Sequence, residues 1–302
     1  MSDYGYYPGC SLKGTGRPYD ESMQAVFAAL GLGLDELDDW NCCGATAYMA
    51  IDEVQAVALA SRNLALAAAT GNDVVAPCNA CWLVLTKTQG KLGEDVALRD
   101  IVCGALGATC TESNGDGSQP LRIDRDVAVR HPLDVLANDF GLEALGEAVT
   151  HPLSGLKVTP YYGCQIVRPL ATFDDQADPQ SMDRLLAAAG CEVVDNPFKT
   201  RCCGASQMMI MPDVGIDLVS LLIADAVARG ADAIAVACPL CQFNLEGYQR
   251  KALKAAGLKQ GIPILYFTQL LGLALGLDPK RLGLHRSFVP VDSILERRAA
   301  HV

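Results

Sequence analysis

Ten of the chain's thirteen cysteines fall into one five-cysteine pattern that is written twice. The first copy runs Cys10, then Cys42-Cys43 inside Asn-Cys-Cys-Gly-Ala, then Cys78-x-x-Cys81. The second runs Cys164, Cys202-Cys203 inside Arg-Cys-Cys-Gly-Ala, then Cys238-x-x-Cys241. Both Cys-Cys pairs and both CxxC pairs are offset by 160 residues, and the leading cysteines by 154. Soft thiolate donors held in register over such a distance constrain the fold, which must gather five sulfurs and must do so twice. Five is one more than a zinc site or a cubane iron–sulfur cluster uses.

The duplication reaches beyond the cysteines. Tyr6-Tyr7-Pro8-Gly9-Cys10 echoes Pro160-Tyr161-Tyr162-Gly163-Cys164, and the helical run opened by Ser22-Met23 echoes the one opened by Ser181-Met182. So long a period indicates domain duplication rather than a solenoid. The expected fold is α/β, with two Rossmann-like units, 1–150 and 151–302, facing each other across a pseudo-two-fold axis. In each unit a short strand (4–7; 157–162) delivers the first cysteine into a loop. An amphipathic helix follows (20–30; 181–189), then the Cys-Cys-Gly loop, then a long Ala-rich helix (52–69; 213–229). A buried strand (73–76; 233–237) ends at the CxxC, which opens another helix. Strands alternating with helices imply short parallel sheets, with the ligand loops at their carboxyl ends. The stretch from Cys103 to Pro120 has no counterpart in the second half, and its tail from Glu112 reads as a surface loop.

Half of the 302 residues are hydrophobic, which suits a globular chain. No run reaches the roughly 18 apolar residues of a membrane span; the most apolar stretch, 262–277, carries Gln269 and reads as a buried strand and helix. The amino end has no basic region followed by an apolar one, so no signal peptide is expected and the protein is placed in the cytoplasm. Reducing conditions there make a regular cysteine array metal-binding or catalytic rather than disulfide-bonded. The net charge of −11 gives no electrostatic reason to bind nucleic acid.

A CxxC at a strand-to-helix junction sets two sulfurs one turn apart at a helix amino end, where unpaired N–H groups favour thiolate. Adjacent cysteines in a tight Gly-assisted loop can ligate neighbouring metals. Structural zinc would employ four of the five sulfurs, and a thioredoxin-type CxxC only two. Outside the pattern, Cys103, Cys110 and Cys191 read as buried inert thiols. His131 and His151, each before a Pro, read as surface residues, and Trp82, directly after Cys81, as a packing residue.

The spacing Cys-x31-Cys-Cys-x34-Cys-x2-Cys and its twin Cys-x37-Cys-Cys-x34-Cys-x2-Cys resemble the paired CCG domain of the heterodisulfide reductase B subunit. The likeness takes in Cys10-Ser-Leu-Lys-Gly-Thr15, Tyr161-Tyr-Gly-Cys-Gln-Ile-Val-Arg-Pro169, Phe173-Asp-Asp, Thr200-Arg-Cys-Cys-Gly-Ala205 and Leu265-Tyr-Phe-Thr-Gln-Leu-Leu271. It implies two non-cubane [4Fe-4S] clusters flanking a cavity where a disulfide is cleaved. Cys10, Cys42, Cys43, Cys78 and Cys81 would hold one, and Cys164, Cys202, Cys203, Cys238 and Cys241 the other. Cys43 and Cys203 would carry catalysis with the clusters, while Lys13 and Arg168, each within four residues of a leading ligand, would bind an anionic substrate or offset cluster charge. The resemblance further implies, as partners, a ferredoxin-like C subunit with a flavoprotein A subunit behind it. The Ala-rich, Lys-poor composition resembles a GC-rich bacterial genome, whose relatives in this family oxidise sulfur carried by a lipoate-binding protein. The alternative is an iron–sulfur electron-transfer subunit of a lactate, glycolate or glycerol-phosphate oxidoreductase.

Overall fold

In the computed structural model, residues 3–45, 48–107 and 127–300 are described, side chains excepted at 298–300. Cys110 and the expected loop 112–120 lie outside them. The first copy contains β1 (Asp3–Tyr6), the single turn α1 (Gly9–Leu12), α2 (Arg17–Ala29), β2 (Gly33–Glu36), the turn α3 (Tyr48–Ile51), α4 (Glu53–Thr70), β3 (Val74–Val75), α5 (Asn79–Glu94), α6 (Val96–Leu106) and β4 (Val129–Arg130). A π-helical turn (Val135–Gly141) then joins α7 (Pro132–Asp134) to α8 (Leu142–Ala148). The second copy contains β5 (Lys157–Tyr161), α9 (Ser181–Ala188), β6 (Glu192–Val193), α10 (Pro212–Ala228), β7 (Ala233–Val236), α11 (Pro239–Gly247), α12 (Gln249–Ala256), β8 (Ile264–Tyr266), α13 (Phe267–Ala274) and α14 (Asp292–Ala300).

Two four-stranded sheets result, ordered β2-β1-β3-β4 and β6-β5-β7-β8, with every pairing parallel. The identical order is the structural signature of the duplication. In each sheet the chain leaves the first strand toward one edge and returns on its other side, making a switch point between β1 and β3, and between β5 and β7. Tyr6 pairs with Val75, and Tyr161 with Val236. The loops leaving those neighbouring strands are the ones that carry Cys10 with Cys78, and Cys164 with Cys238. Strand register is therefore what brings together cysteines 68 residues apart in the first copy and 74 in the second.

By packing, the chain forms two compact units: residues 1–10 with 32–132, and residues 11–31 with 133–302. The first holds the β2-β1-β3-β4 sheet and helices α4 to α6. Asp52 caps α4 by accepting from the Gln55 amide, and Asp95 caps α6 by accepting from the Leu98 amide. In the second unit, α13 packs against both α2 and α9, and α9 also packs against α8. Tyr19 of α2 stacks on Tyr266 with ring centroids 4.4 Å apart, and Ser22 Oγ lies 2.6 Å from Thr268 Oγ1. The amphipathic face of α2, with Tyr19, Met23, Val26 and Phe27 fully buried, is thus satisfied within this unit.

Three sequence expectations change. Short strands β2, β4 and β6 join the sheets beyond those anticipated. His131 is not a surface residue. It is fully buried, with Nε2 3.1 Å from the Pro77 carbonyl, because β4 carries it into the sheet. Cys103 is buried as expected but is disulfide-bonded rather than a free thiol. Among the described residues, no helix is long and apolar enough to cross a membrane.

Candidate metal centre

Each five-cysteine set is assembled from three loops at the carboxyl end of its sheet. In the first copy, Cys42 Sγ lies 3.9 Å from Cys10 Sγ, and Cys43 Sγ 3.3 Å from Cys81 Sγ. Cys81 also meets Cys78, completing the set. In the second copy Cys164 contacts Cys202, while Cys241 contacts both Cys203 and Cys238. Exposure repeats as well. Cys43, Cys78 and Cys81 are buried while Cys10 and Cys42 face solvent; Cys203, Cys238 and Cys241 are buried while Cys202 is exposed and Cys164 half-buried.

Cys78 and Cys238 stand at the N-caps of α5 and α11 in extended conformation, which puts Cys81 and Cys241 in the first helical turns. Unpaired amides and the dipole at these ends favour negative charge on sulfur. Glycines let the loops close. At Gly9 (φ +67°) an added Cβ would sit 3.0 Å from Cys81 Sγ. At Gly204 (φ +83°) it would sit 3.1 Å from the Gly215 backbone, so the Cys-Cys loop lies directly on α10.

The sulfurs are too crowded to ionise together. Hydrogen bonds from Cys42 and Cys81 hold the Cys43 thiol down at about 3, whereas the bond to Cys43 pushes Cys42 up. In the second copy the bond from Cys164 lowers Cys202 to about 6, and Cys164 is raised in return. Cys81 and Cys241 are both raised, chiefly by Cys43 and Cys203. Five mutually repelling thiolates need cations among them to be ionised at once. Among the described residues, no three such side chains converge on one point as ligands of a single ion do. Five soft donors spread over three loops suit a centre of several metals, and thiolate softness selects iron–sulfur chemistry among these.

Both sets rest on a tyrosine that sequence reasoning missed. Tyr7 is buried and its hydroxyl donates to the Asn41 carbonyl at 2.8 Å; Tyr161 is buried and donates to the Arg201 carbonyl at 2.5 Å. Each accepting carbonyl immediately precedes a Cys-Cys pair, and each tyrosine lies three residues before a leading cysteine. That repeated Tyr-x-x-Cys was the signal available in the sequence. Burial, and then the neighbouring cysteines, push both phenols up, so each stays a donor. Replacing Tyr161 with Phe keeps the ring and removes one donor, a loss of about 1 kcal/mol. A chelator should then strip half of the bound metal about fivefold faster and the remainder at the wild-type rate; uniform release would contradict this role.

Other polar side chains pin the loops differently in the two copies. Asn63 of α4 both accepts from and donates to the Asn41 backbone, each at 2.9 Å. Asn244 of α11 donates to the Cys203 carbonyl at 2.7 Å. Arg168 donates to the Thr200 carbonyl, tying the Cys164 loop to the Cys-Cys loop. The Lys199 carbonyl accepts the Tyr162 and Gly163 amides, while its buried ammonium pairs with Asp178 and Asp183. Lys13 is partly exposed beside Asp20, at 3.8 Å. Trp82 is fully buried and donates from Nε1 to the Val129 carbonyl at 3.2 Å.

A family model described as a cysteine-rich domain, CCG, matches residues 4–86 and again residues 158–246. The chain is 32% identical over 291 residues to the 8-methylmenaquinol:fumarate reductase membrane anchor subunit of Wolinella succinogenes, covering 96% of this chain and 98% of that one. It is 28% identical over 294 residues to the B subunit of the ferredoxin:CoB-CoM heterodisulfide reductase of Methanosarcina mazei, covering 96% and 94%. It is 29% identical over 307 residues to a protein of Archaeoglobus profundus named as like the heterodisulfide reductase B subunit, covering 98% of each. Among solved structures, a hypothetical protein from Helicobacter pylori superposes with a TM-score of 0.73 at 14% identity. That match covers 96% of this chain but about half (52%) of the other, and it bears on fold alone. With two CCG matches and these relatives, the chain belongs to the cysteine-rich CCG family that includes the heterodisulfide reductase B subunit.

Proposed function

We propose that this chain is the disulfide-handling subunit of a heterodisulfide reductase-like complex. The observation that carries the reading is the duplicated set of five crowded thiols, each with a buried part and a solvent-facing edge. The ten cysteines, in halves taken as 1–150 and 151–302, would hold two non-cubane [4Fe-4S] clusters. When bound, such clusters pass electrons singly, so two of them match the two electrons needed to split one disulfide. The chain's own residues supply the rest. Cys43 and Cys203 hold the buried side of each centre, while the edges at Cys10 with Cys42, and at Cys164 with Cys202, admit a sulfur-bearing substrate. Arg168 fixes the loop geometry of the second edge and, with Lys13, offers cationic charge to an anionic substrate. Partners in this reading are a ferredoxin-like protein and a flavoprotein that exchange electrons with the chain. The assembly works in the cytoplasm, and a lipoate-bound sulfur substrate would place it in sulfur oxidation.

The relative in Wolinella succinogenes, a subunit of a fumarate reductase, favours a second reading: an electron-transfer subunit with no substrate of its own. The lactate, glycolate and glycerol-phosphate oxidoreductases offer the same kind of role. Anaerobic assay of the reconstituted chain with reduced methyl viologen and hydroxyethyl disulfide separates the two. Disulfide-dependent viologen oxidation is expected. Clusters that reduce and reoxidise normally while the disulfide stays intact would favour the second reading.

A further inference from the structure

Burying a lysine is costly unless its charge is paired, so its surroundings show what it serves. Among the described residues Lys199 is the one buried lysine, at 5% exposure. Its ammonium pairs with Asp178 and, at 3.5 Å, with Asp183, and lies 5.8 Å from the centre of the Tyr162 ring. Asp183 stands in the first turn of α9, and Tyr162 grips the same turn. The phenol donates to Asp183 Oδ2 and accepts the Met182 and Asp183 amides at 2.7 and 3.1 Å. Gln180, the residue before α9, supplies no side-chain cap, so Tyr162 takes amides that the helix itself leaves unpaired. The helix in turn packs against α8 and α13.

Both side chains belong to ligand loops. Tyr162 lies two residues before Cys164, and Lys199 three before Cys202. The Lys199 carbonyl accepts the Tyr162 and Gly163 amides at 2.9 and 3.1 Å, and Asn196 donates to the Pro160 carbonyl at 2.8 Å, which laces the two segments together. Cys164 and Cys202 are the pair in contact at the solvent-facing edge of the second set. The first copy is built otherwise. Pro8 stands two residues before Cys10 and has no hydroxyl to give, and Asp39 stands three before Cys42. The Asp39 side chain is 84% exposed and pairs with Arg62 at the surface. Cys10 is exposed accordingly, where Cys164 is half-buried.

We infer that Lys199, with Asp183 and Tyr162, is a positioning unit that ties the Cys164–Cys202 edge to α9. The two centres are therefore unequal, the second held firmly and the first more loosely. A surface ion pair such as Asp39–Arg62 contributes little, whereas breaking a buried pair strands a charge. Only the effect on metal rests on the cluster reading of the proposed function; the clamp is a property of the chain.

The test is Lys199→Met, which keeps the apolar stem and removes the charge. Anaerobic holoprotein should lose iron to a chelator in two phases. The variant should speed the slower phase about tenfold, the lower end of the cost of losing a residue that supports a metal ligand, and leave the faster phase alone. In a Cys43→Ser chain, left with the second centre, the substitution should alter the EPR signal of the reduced cluster. In a Cys203→Ser chain, left with the first, it should not. On iron-free, reduced chain, peptide mass spectrometry should find Cys164 alkylated by iodoacetamide about tenfold faster in the variant, with Cys10 and Cys191 unchanged. Tyr162→Phe removes only the hydroxyl and should speed Cys164 about fivefold, which keeps the test decisive if Lys199→Met does not fold. Unchanged Cys164 labelling, or a rise shared by Cys10 and Cys191, would overturn the assignment. Selective Cys164 labelling in a chain that binds no iron would leave the clamp standing and sink the cluster reading instead.

Discussion

A Cys203→Ser chain is expected to purify anaerobically with half the wild-type iron and sulfide, and to lose disulfide turnover by more than about a hundredfold. Removing a residue that merely supports a metal ligand typically costs 10–100-fold, so losing a ligand should cost more. Cys203 is buried, touches Cys241, and has its carbonyl fixed by Asn244, so solvent does not readily stand in for its sulfur. A serine hydroxyl at that spot is a hard, poorly ionised donor that iron–sulfur centres disfavour. Cys43→Ser should do the same in the first copy, because Cys43 occupies the equivalent buried place against Cys81. Cys191 is the control. It is buried outside both sets, with its thiol pushed up to about 12 by burial, and Cys191→Ser should keep full iron. Full iron and turnover in Cys203→Ser would show that this cysteine holds no metal.

The second large effect concerns stability. Trp82→Ala should destabilise the first packing unit by about 3–5 kcal/mol, the usual cost of deleting a fully buried large aromatic. The indole is fully buried on α5, one residue beyond Cys81, and its N–H ties that helix to the Val129 carbonyl of β4. Trp82→Phe keeps most of the packing and should cost nearer 1–2 kcal/mol, mainly by leaving the buried carbonyl without its donor. Urea unfolding of the two variants measures this directly. Near-equal midpoints would mean that the ring carries little of the packing.

How far the sequence disclosed this structure follows from the kind of signal each feature leaves. Ligand spacing is one-dimensional, so the twin cysteine registers, the helices after each CxxC and the long helices α4 and α10 were all readable. Strands β4 and β6 span two residues each, Val129–Arg130 and Glu192–Val193, too few for periodicity; pairing with β3 and β5 creates them. Missing β4 is also why His131-Pro132 looked like surface loop, when the strand before it carries the imidazole inward. The apolar stripe of α2 announces a buried face but not which elements cover it. Only the fold shows Tyr19 against Tyr266 and Ser22 against Thr268. Lys199, a lysine held beneath the surface by Asp178 and Asp183, left no mark in the sequence at all.

The central claim is that each cysteine set holds a multinuclear iron–sulfur centre. Iron and acid-labile sulfide, counted on anaerobically purified chain, test it most directly. Two four-iron clusters predict about eight of each per chain and a brown, visible-absorbing protein. A colourless preparation carrying zinc, or no metal, would contradict it.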